Sequence, residues 1–271
     1  MRKIYFIVLM ALSLSIQSCL MEDKNLFNNT AAERLQAYMT ECSDALISSE
    51  NGWIFEYYPE ANQSYGGFVY VVKFTKGDVT AYFELANDVK VPVTSLYKIT
   101  GDDGASLTFD TYNDYLHYFA TPDSDNYHGL DGDYEFSLMG VSPDKSEVYL
   151  RGRRTNNKMT LRRLKISPAV YLQNVLAMKA ALKGRSHKLV IDGATNTSCR
   201  FDTDVNVFTY SYTIGDKVES GEMAFCQTDT GIRFYRPLVI NGVEYDSLRY
   251  ENTVLSSSDG KVFISWNKII G

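Results

Sequence analysis

The chain has 271 residues, a formal net charge of −6 and 45% hydrophobic residues, a composition that excludes a wholly disordered or collagen-like protein. Its acidic balance, with a sequence pI near 5.2, argues against nucleic acid as a partner. Only 3 His are present, so His-dependent catalytic sites have few residues to draw on. The length permits one large domain or two smaller ones.

The first 18 residues have the three-part pattern of a secretory signal peptide. A basic pair precedes an almost wholly apolar run over residues 4–16, and the small Ser18 precedes Cys19. The apolar run is shorter than the roughly 20 residues of a membrane-spanning helix. Residues 16–19 (Ile-Gln-Ser-Cys) resemble the lipobox of bacterial lipoproteins, which predicts lipidation of Cys19. The alternative is an ordinary signal peptide with an incidental Cys.

A polar tether is predicted over residues 19–29, between the lipid and the fold. Glu22 and Asp23 resemble the surface-export signal of Bacteroidetes lipoproteins. We therefore expect a location at the outer membrane, with the periplasmic and the exterior face both open. No later segment of the sequence reaches membrane-spanning length, so lipid would be the only anchor.

The first predicted folded element is a helix that begins at Thr30. Thr30 and Glu33 form a capping box, and apolar residues then recur at intervals of three and four as far as Leu46. Strand-like runs separated by turn signals follow. They are residues 68–74, 79–85, 95–100, 107–110, 116–120, 134–140, 147–153 and 158–164. Short links of this kind favour an antiparallel sheet over βαβ units.

The order of a helix followed by strands then occurs a second time. Ser167 and Pro168 predict a helix start, and Gly184 predicts its end. Further strands are predicted at residues 188–192, 198–202, 205–214, 221–227, 231–235, 243–250 and 261–266. We therefore predict an α+β fold of two lobes, residues 30–166 and 167–271, each with an N-terminal helix packed on a mainly antiparallel sheet. Internal duplication and coincidence both remain open as the origin of this order.

Several segments of the mature chain resemble one uncharacterised family. They are Ala-Ala-Glu-Arg-Leu at 31–35, Asn-Gly-Trp at 51–53, Tyr-Tyr-Pro at 57–59, Tyr-Gly-Gly-Phe at 65–68 and the hairpin at 150–159. With the lipobox, they resemble a family of Bacteroidetes outer-membrane lipoproteins defined by a domain of unknown function. The resemblance implies an accessory role in uptake beside nutrient-import complexes. It implies no catalytic residue and no cofactor. A glycan or peptide ligand is a separate expectation.

The sequence contains no motif of common catalytic machinery. His117, His128 and His187 are not accompanied by a Gly-x-Ser-x-Gly elbow, a His-Glu-x-x-His helix or a phosphate-binding loop. We interpret His117 as a structural residue in a strand-like run. A glycosidase-like hydrolase with a dispersed carboxylate pair stays open, because it needs only two acids about 5–10 Å apart.

Four acidic residues in one loop are candidate ligands for Ca²⁺. Asp123, Asp125, Asp131 and Asp133 lie within eleven residues of one another, and carboxylates are preferred ligands of this ion. Their order does not fit an EF-hand, and acidic loops are commonly solvated turns. We therefore predict no metal site and keep these four residues as candidates.

A basic strip is predicted on the hairpin that turns at residues 155–157. Arg151, Arg153 and Arg162 would share its outer face, in a segment (151–165) without acidic residues. Such a strip would attract anionic glycans or lipid phosphates. The alternative is that acidic loops of the same chain, such as Asp102 and Asp103, balance the charge.

The aromatic-rich stretch of Trp53, Tyr57, Tyr58 and Tyr65 is a candidate platform for sugars. Exposed rings can stack on the C–H faces of sugar rings. The alternative is burial, because alternate positions of a strand must point inward.

Three thiols remain after Cys19. Cys42 lies on the predicted buried face of the first helix and is interpreted as a core residue. Three is an odd number, so at least one thiol is unpaired within the chain. Cys199 and Cys226 could form a bridge in an oxidising compartment, but the strand predicted at 205–214 lies between them, so this bridge is left open.

The leading hypothesis is a non-enzymatic, lipid-anchored protein that binds a ligand or partner in nutrient uptake. The alternatives are the carboxylate-dependent hydrolase and a structural partner that docks along a sheet edge. A cleft with two close carboxylates would favour the hydrolase. Exposed aromatic rings would favour glycan binding, and an uncovered edge strand would favour a protein partner.

Overall fold

The structure is a computed structural model that describes residues 29–127 and 129–266. The predicted signal peptide, the lipidation site Cys19, nearly all of the tether and His128 lie outside the described residues. Within the described part of the chain, no helix is long and apolar enough to cross a membrane. Residues from Tyr38 onward form one compact unit, and residues up to Ala37 belong to a separate one.

Two helices are described, and both begin where the sequence predicts. Helix α1 (Ala31–Ile47) starts with the predicted capping box, in which the Thr30 amide donates to Glu33 Oε2 at 2.8 Å and the Glu33 amide donates to Thr30 Oγ1 at 3.2 Å. These bonds satisfy amides that a helix leaves unpaired at its start. Helix α2 (Pro168–Leu182) follows Ser167 in extended conformation.

The first half of the chain forms a nine-stranded antiparallel sheet. Its strands are β1 (Trp53–Tyr57), β2 (Phe68–Phe74), β3 (Asp78–Phe83), β4 (Val93–Leu96), β5 (Lys98–Thr100), β6 (Ser106–Thr108), β7 (Glu135–Val141), β8 (Glu147–Gly152) and β9 (Lys158–Arg163), in the order β4-β3-β2-β1-β9-β8-β7-β6-β5. The edge strands β4 and β5 are separated only by Tyr97. Because one residue joins the two edges, the sheet must curl into a barrel-like shape.

The second half forms a closed antiparallel barrel. Its strands are β10 (His187–Ile191), β11 (Ala194–Asp202), β12 (Val207–Ile214), β13 (Lys217–Thr228), β14 (Gly231–Ile240), β15 (Val243–Glu251), β16 (Val254–Ser256) and β17 (Val262–Trp266). The barrel closes where β10 pairs with β17. Eight strands enclose a space that side chains can fill, and Phe208, Phe225, Leu248 and Ile264 are among the buried residues that fill it.

The predicted α+β class is wrong, because the protein is mostly β and contains two barrel-like sheets. Helix α2 does not pack on one sheet as the N-terminal helix of a second lobe. It packs on β13 of the barrel and also on β2 and β3 of the first sheet. The alternating pattern of each strand describes only its two faces, so it could not show that the strands close into a barrel.

Three local predictions also differ from the structure. Residues 116–120 form helical turns rather than a strand, with the His117 amide bonded to the Asn113 carbonyl at 3.0 Å. The run predicted at 95–100 is broken at Tyr97 into two strands that lie on opposite edges of the sheet. Strands β1 and β16 were not predicted.

Candidate functional site

The sheet and the barrel are joined by the buried carboxylate of Glu56 on β1. Its two oxygens bind Arg162 of β9 at 2.7 Å and Arg233 of β14 at 2.9 Å. Arg162 also lies 3.1 Å from Glu147. Burial alone would lower the pKa of Arg233, but the charge of Glu56 outweighs it and raises the pKa. A charge network held in this way fixes the barrel against the sheet.

Close packing just before β2 adds a second contact between the nine-stranded sheet and the barrel. A Cβ atom at Gly67 would lie 2.3 Å from the Cys226 sulfur and 2.5 Å from the Tyr58 ring, so this position accepts only glycine. The Gly67 carbonyl accepts a hydrogen bond from the Asn206 amide at 2.7 Å, and Gln227 donates to Asn206 at 2.9 Å. The segment that precedes β2 is therefore held firmly against the barrel wall.

A cleft of about 700 Å³ lies where residues 61–64 face the outer wall of the barrel. Strands β11, β12 and β13 form its floor. The strand register arranges the floor in two rows that run across the strands. One row is Arg200, Thr209 and Glu222, and the next is Asp202, Val207 and Ala224. The lining residues are Ala61, Asn62, Gln63, Ser64, Arg200, Asp202, Val205, Val207, Thr209, Glu222, Met223, Ala224, Tyr235 and Arg236.

The wall at residues 61–64 is held in place by hydrogen bonds. Glu60 accepts bonds from the amides of Asn62 and Ser64 at 2.9 and 3.1 Å. Burial raises the pKa of Glu60, but these bonds outweigh it and the net pKa is lowered. Gln63 is buried and donates to Asn157 at 2.6 Å. Glu60 and Gln63 both have positive φ angles, of 59° and 57°, a strained conformation that is found at ligand-binding loops.

The charges that line the cleft are balanced. Two arginines and two carboxylates are present, and Arg200 lies 3.2 Å from Asp202. The carboxylates of Asp202 and Glu222 lie on β11 and β13, with β12 between them and in different rows of the register. This arrangement provides hydrogen-bond donors, acceptors and apolar contacts for a ligand.

The predicted aromatic platform is part of the core. Trp53, Tyr57 and Tyr58 are buried, and Tyr65 is half-buried. The Trp53 indole donates to the Leu46 carbonyl at 2.7 Å. Both faces of β1 are covered, because the curled sheet encloses one face while the barrel lies against the other. These rings therefore do not offer an exposed surface to a sugar.

The predicted basic strip is divided among acidic partners of the same chain. Arg153 lies 3.1 Å from Asp103, and Arg162 contacts Glu56 and Glu147 as described above. Arg151 is half-exposed and lies opposite Lys158 on β9. Charge balance therefore describes Arg153 and Arg162 better than a site for an anionic ligand.

The four acidic candidates have separate structural contacts. Asp123 accepts bonds from the amides of residues 125 and 126, at 2.8 and 2.7 Å, and Asp125 is exposed. Asp131 pairs with Arg154. Asp133 is buried and accepts bonds from residues 154 and 155 of the hairpin turn. No group of three metal-binding side chains occurs in the described ranges.

The three described thiols are buried and unbridged. Cys42 lies in α1, Cys199 on β11 and Cys226 on β13. Burial raises the pKa of Cys199 to about 12, so this thiol is a poor nucleophile. The thiol pair that the sequence left open is not joined within the part of the chain that the structure describes.

The sequence analysis did not identify the cleft. Its floor consists of outward-facing strand residues, and alternation does not show which part of an outer wall becomes concave. The only local signal was the turn-like segment at residues 60–66, whose Asn and Ser residues are typical of ordered turns.

The fold and the cleft define a mostly β protein in which a curled sheet and a closed barrel border a ligand-sized cleft. The chain belongs to the family described as a domain of unknown function (DUF4302), whose model matches residues 23–252. The predicted resemblance to a domain of unknown function is thus confirmed. No curated protein matches the chain.

Proposed function

We propose that this protein is a non-enzymatic binding protein that holds a small polar ligand in the cleft between residues 61–64 and the barrel wall. The observation that carries the proposal is the cleft itself. Its volume of about 700 Å³ falls within the roughly 300–1,000 Å³ typical of small-molecule sites.

The stiffness of the cleft supports a binding role. Glu60 and Asn157 hold one wall by hydrogen bonds, and the closed barrel forms the floor. A preformed site avoids part of the ordering cost of binding. The balanced charges of the lining favour a ligand without a large net charge.

The cellular setting that we propose rests on the sequence. The lipobox supports a lipid anchor at Cys19, and Glu22 and Asp23 support export to the outer membrane. An anchored binding protein at that place would act as an accessory of nutrient uptake. Replacement of Cys19 by Ala should move the protein from the membrane fraction to the soluble fraction. Unchanged membrane association would contradict the anchor.

The binding role can be tested by filling the cleft. Thr209 is exposed at the floor of the cleft on β12, and a Trp at this position would occupy the space while remaining compatible with a strand. Thr213 lies on the same strand and the same outer face, is exposed, and does not line the cleft. Thr209→Trp and Thr213→Trp are therefore a matched pair.

The assay is a thermal-shift screen of the full-length protein against amino acids, dipeptides and small neutral sugars. A ligand at 100 times its Kd stabilises the folded state by about 2.7 kcal/mol. We expect the same ligand to raise the Tm of the wild type and of Thr213→Trp by several degrees, with no shift for Thr209→Trp. An equal shift in Thr209→Trp, or no ligand in the whole screen, would refute the proposal.

A further inference from the structure

The connection between β6 and β7 is unusually long. It runs from residue 109 to residue 134, or 26 residues, since β6 ends at Thr108 and β7 begins at Glu135. Loops longer than about 15 residues are uncommon in compact domains and are often functional. Asn113 anchors this loop, because its side chain accepts bonds from two loop amides and donates to Ser95 at 3.1 Å.

Three rings form a cluster on this loop. The ring centroids of Tyr112 and Tyr134 lie 5.4 and 5.1 Å from the centroid of the His117 imidazole, with interplanar angles of 33° and 27°. Tyr112 is 64% exposed and Tyr134 is 43% exposed. Burial lowers the pKa of His117, although backbone hydrogen bonds with Asn113 and Phe109 partly oppose the effect. The lowered pKa favours the uncharged form of the His117 imidazole.

The charges around the cluster of Tyr112, His117 and Tyr134 restrict the class of ligand. Residues 109–134 contain six Asp and neither Lys nor Arg. Asp110 pairs with Lys98 and Asp131 with Arg154, whereas Asp114, two residues after Tyr112, is exposed. An acidic loop repels anionic lipid surfaces and sulfated glycans. Carboxylates are good acceptors for hydroxyl groups.

We propose that Tyr112 and Tyr134 form a platform for a neutral saccharide, with Asp114 accepting hydrogen bonds from its hydroxyl groups. The flat, apolar ring face of a tyrosine can pack against the apolar C–H face of a sugar ring. This surface is separate from the cleft, because none of its residues lines the cleft. The platform does not depend on a ligand in the cleft.

The test is affinity electrophoresis of the full-length protein in a detergent without a sugar head group. The gels contain laminarin, soluble starch, xyloglucan, galactomannan or dextran. We expect at least one of these to retard the wild type. Tyr112→Ala should weaken that binding at least tenfold, while Tyr112→Phe, which keeps the ring, should retain it. Tyr149→Ala is the matched control, because Tyr149 is a 39% exposed tyrosine on β8 of the same sheet.

Four outcomes would overturn the platform. The first three are the absence of retardation by every neutral polysaccharide, equal retardation of Tyr112→Ala and wild type, and binding only to heparin or to phosphatidylglycerol vesicles. The Phe variant preserves packing, so loss of binding in Tyr112→Phe as well as in Tyr112→Ala would also contradict ring stacking. Circular dichroism spectra of the variants separate loss of binding from loss of fold.

Discussion

Replacing Glu56 by Gln removes the charge that joins the sheet to the barrel. The carboxylate is buried and bonded to Arg162 and Arg233, so the change leaves two arginines without their shared partner. Removing one partner of a buried ion pair costs about 3–5 kcal/mol. Arg162 keeps Glu147 at 3.1 Å, and the Arg233 side chain is 30% exposed, so water and Glu147 relieve part of that cost.

We therefore expect Glu56→Gln to lower the free energy of unfolding by about 2–3 kcal/mol. Urea unfolding followed by circular dichroism measures this as a decrease in the midpoint of about 1 M. Because Glu56 and Arg233 are in contact, the double variant Glu56→Gln/Arg233→Gln should lose less than the sum of the two single variants.

An exposed ion pair is the control for this experiment. Lys183 and Asp204 lie 3.5 Å apart with side chains that are 67% and 80% exposed, and Asp204→Asn should change stability by no more than about 0.5 kcal/mol. An unchanged urea midpoint for Glu56→Gln, or a change no larger than that of Asp204→Asn, would refute the view that Glu56 links the two parts.

Two buried groups should give opposite dependences of stability on pH. Burial raises the pKa of Glu84 to about 7, despite the nearby charge of Lys179. The folded state then keeps a proton that the unfolded state releases above pH 4.5, so the free energy of unfolding falls as the pH rises from about 4.5 to 7. Glu84→Gln lacks this loss. Between pH 4.5 and 8 its free energy of unfolding should therefore rise by about 3 kcal/mol relative to that of the wild type. Burial and the charge of Arg185 lower the pKa of His187 to about 4, so stability falls as pH drops from 6.5 to 4. As the pH drops from 7 to 5, the free energy of unfolding of His187→Phe should therefore rise by about 2 kcal/mol relative to that of the wild type. Urea midpoints across this range measure both effects, and profiles parallel to the wild type would contradict them.

The elements that follow from local pattern were predictable. The capping box at Thr30 and Glu33 depends on a spacing of three residues, and most strands follow from alternation over five to seven residues. The turns at 116–120 were mistaken for a strand because the run Leu-His-Tyr-Phe-Ala is rich in apolar and aromatic residues. There the Asn113 side chain bonds to the following amides and starts helical turns instead.

The arrangement of these elements was not predictable from local pattern. Barrel closure pairs His187 with Trp266, and nothing near either residue indicates the other. The contact of Gly67 with Cys226 brings together segments that are even farther apart in sequence. The cleft depends on these distant contacts, and the burial of Trp53, Tyr57 and Tyr58 depends on long-range packing of the same kind.

Hydrogen–deuterium exchange tests the binding cleft most directly. The measurement compares the full-length protein with and without a saturating concentration of the solute that raises its Tm. The cleft predicts slower exchange in peptides that cover residues 60–67 and 199–209, with no change in the loop at 109–134. Protection confined to other segments, or exchange that is identical in the two samples, would contradict binding in the cleft.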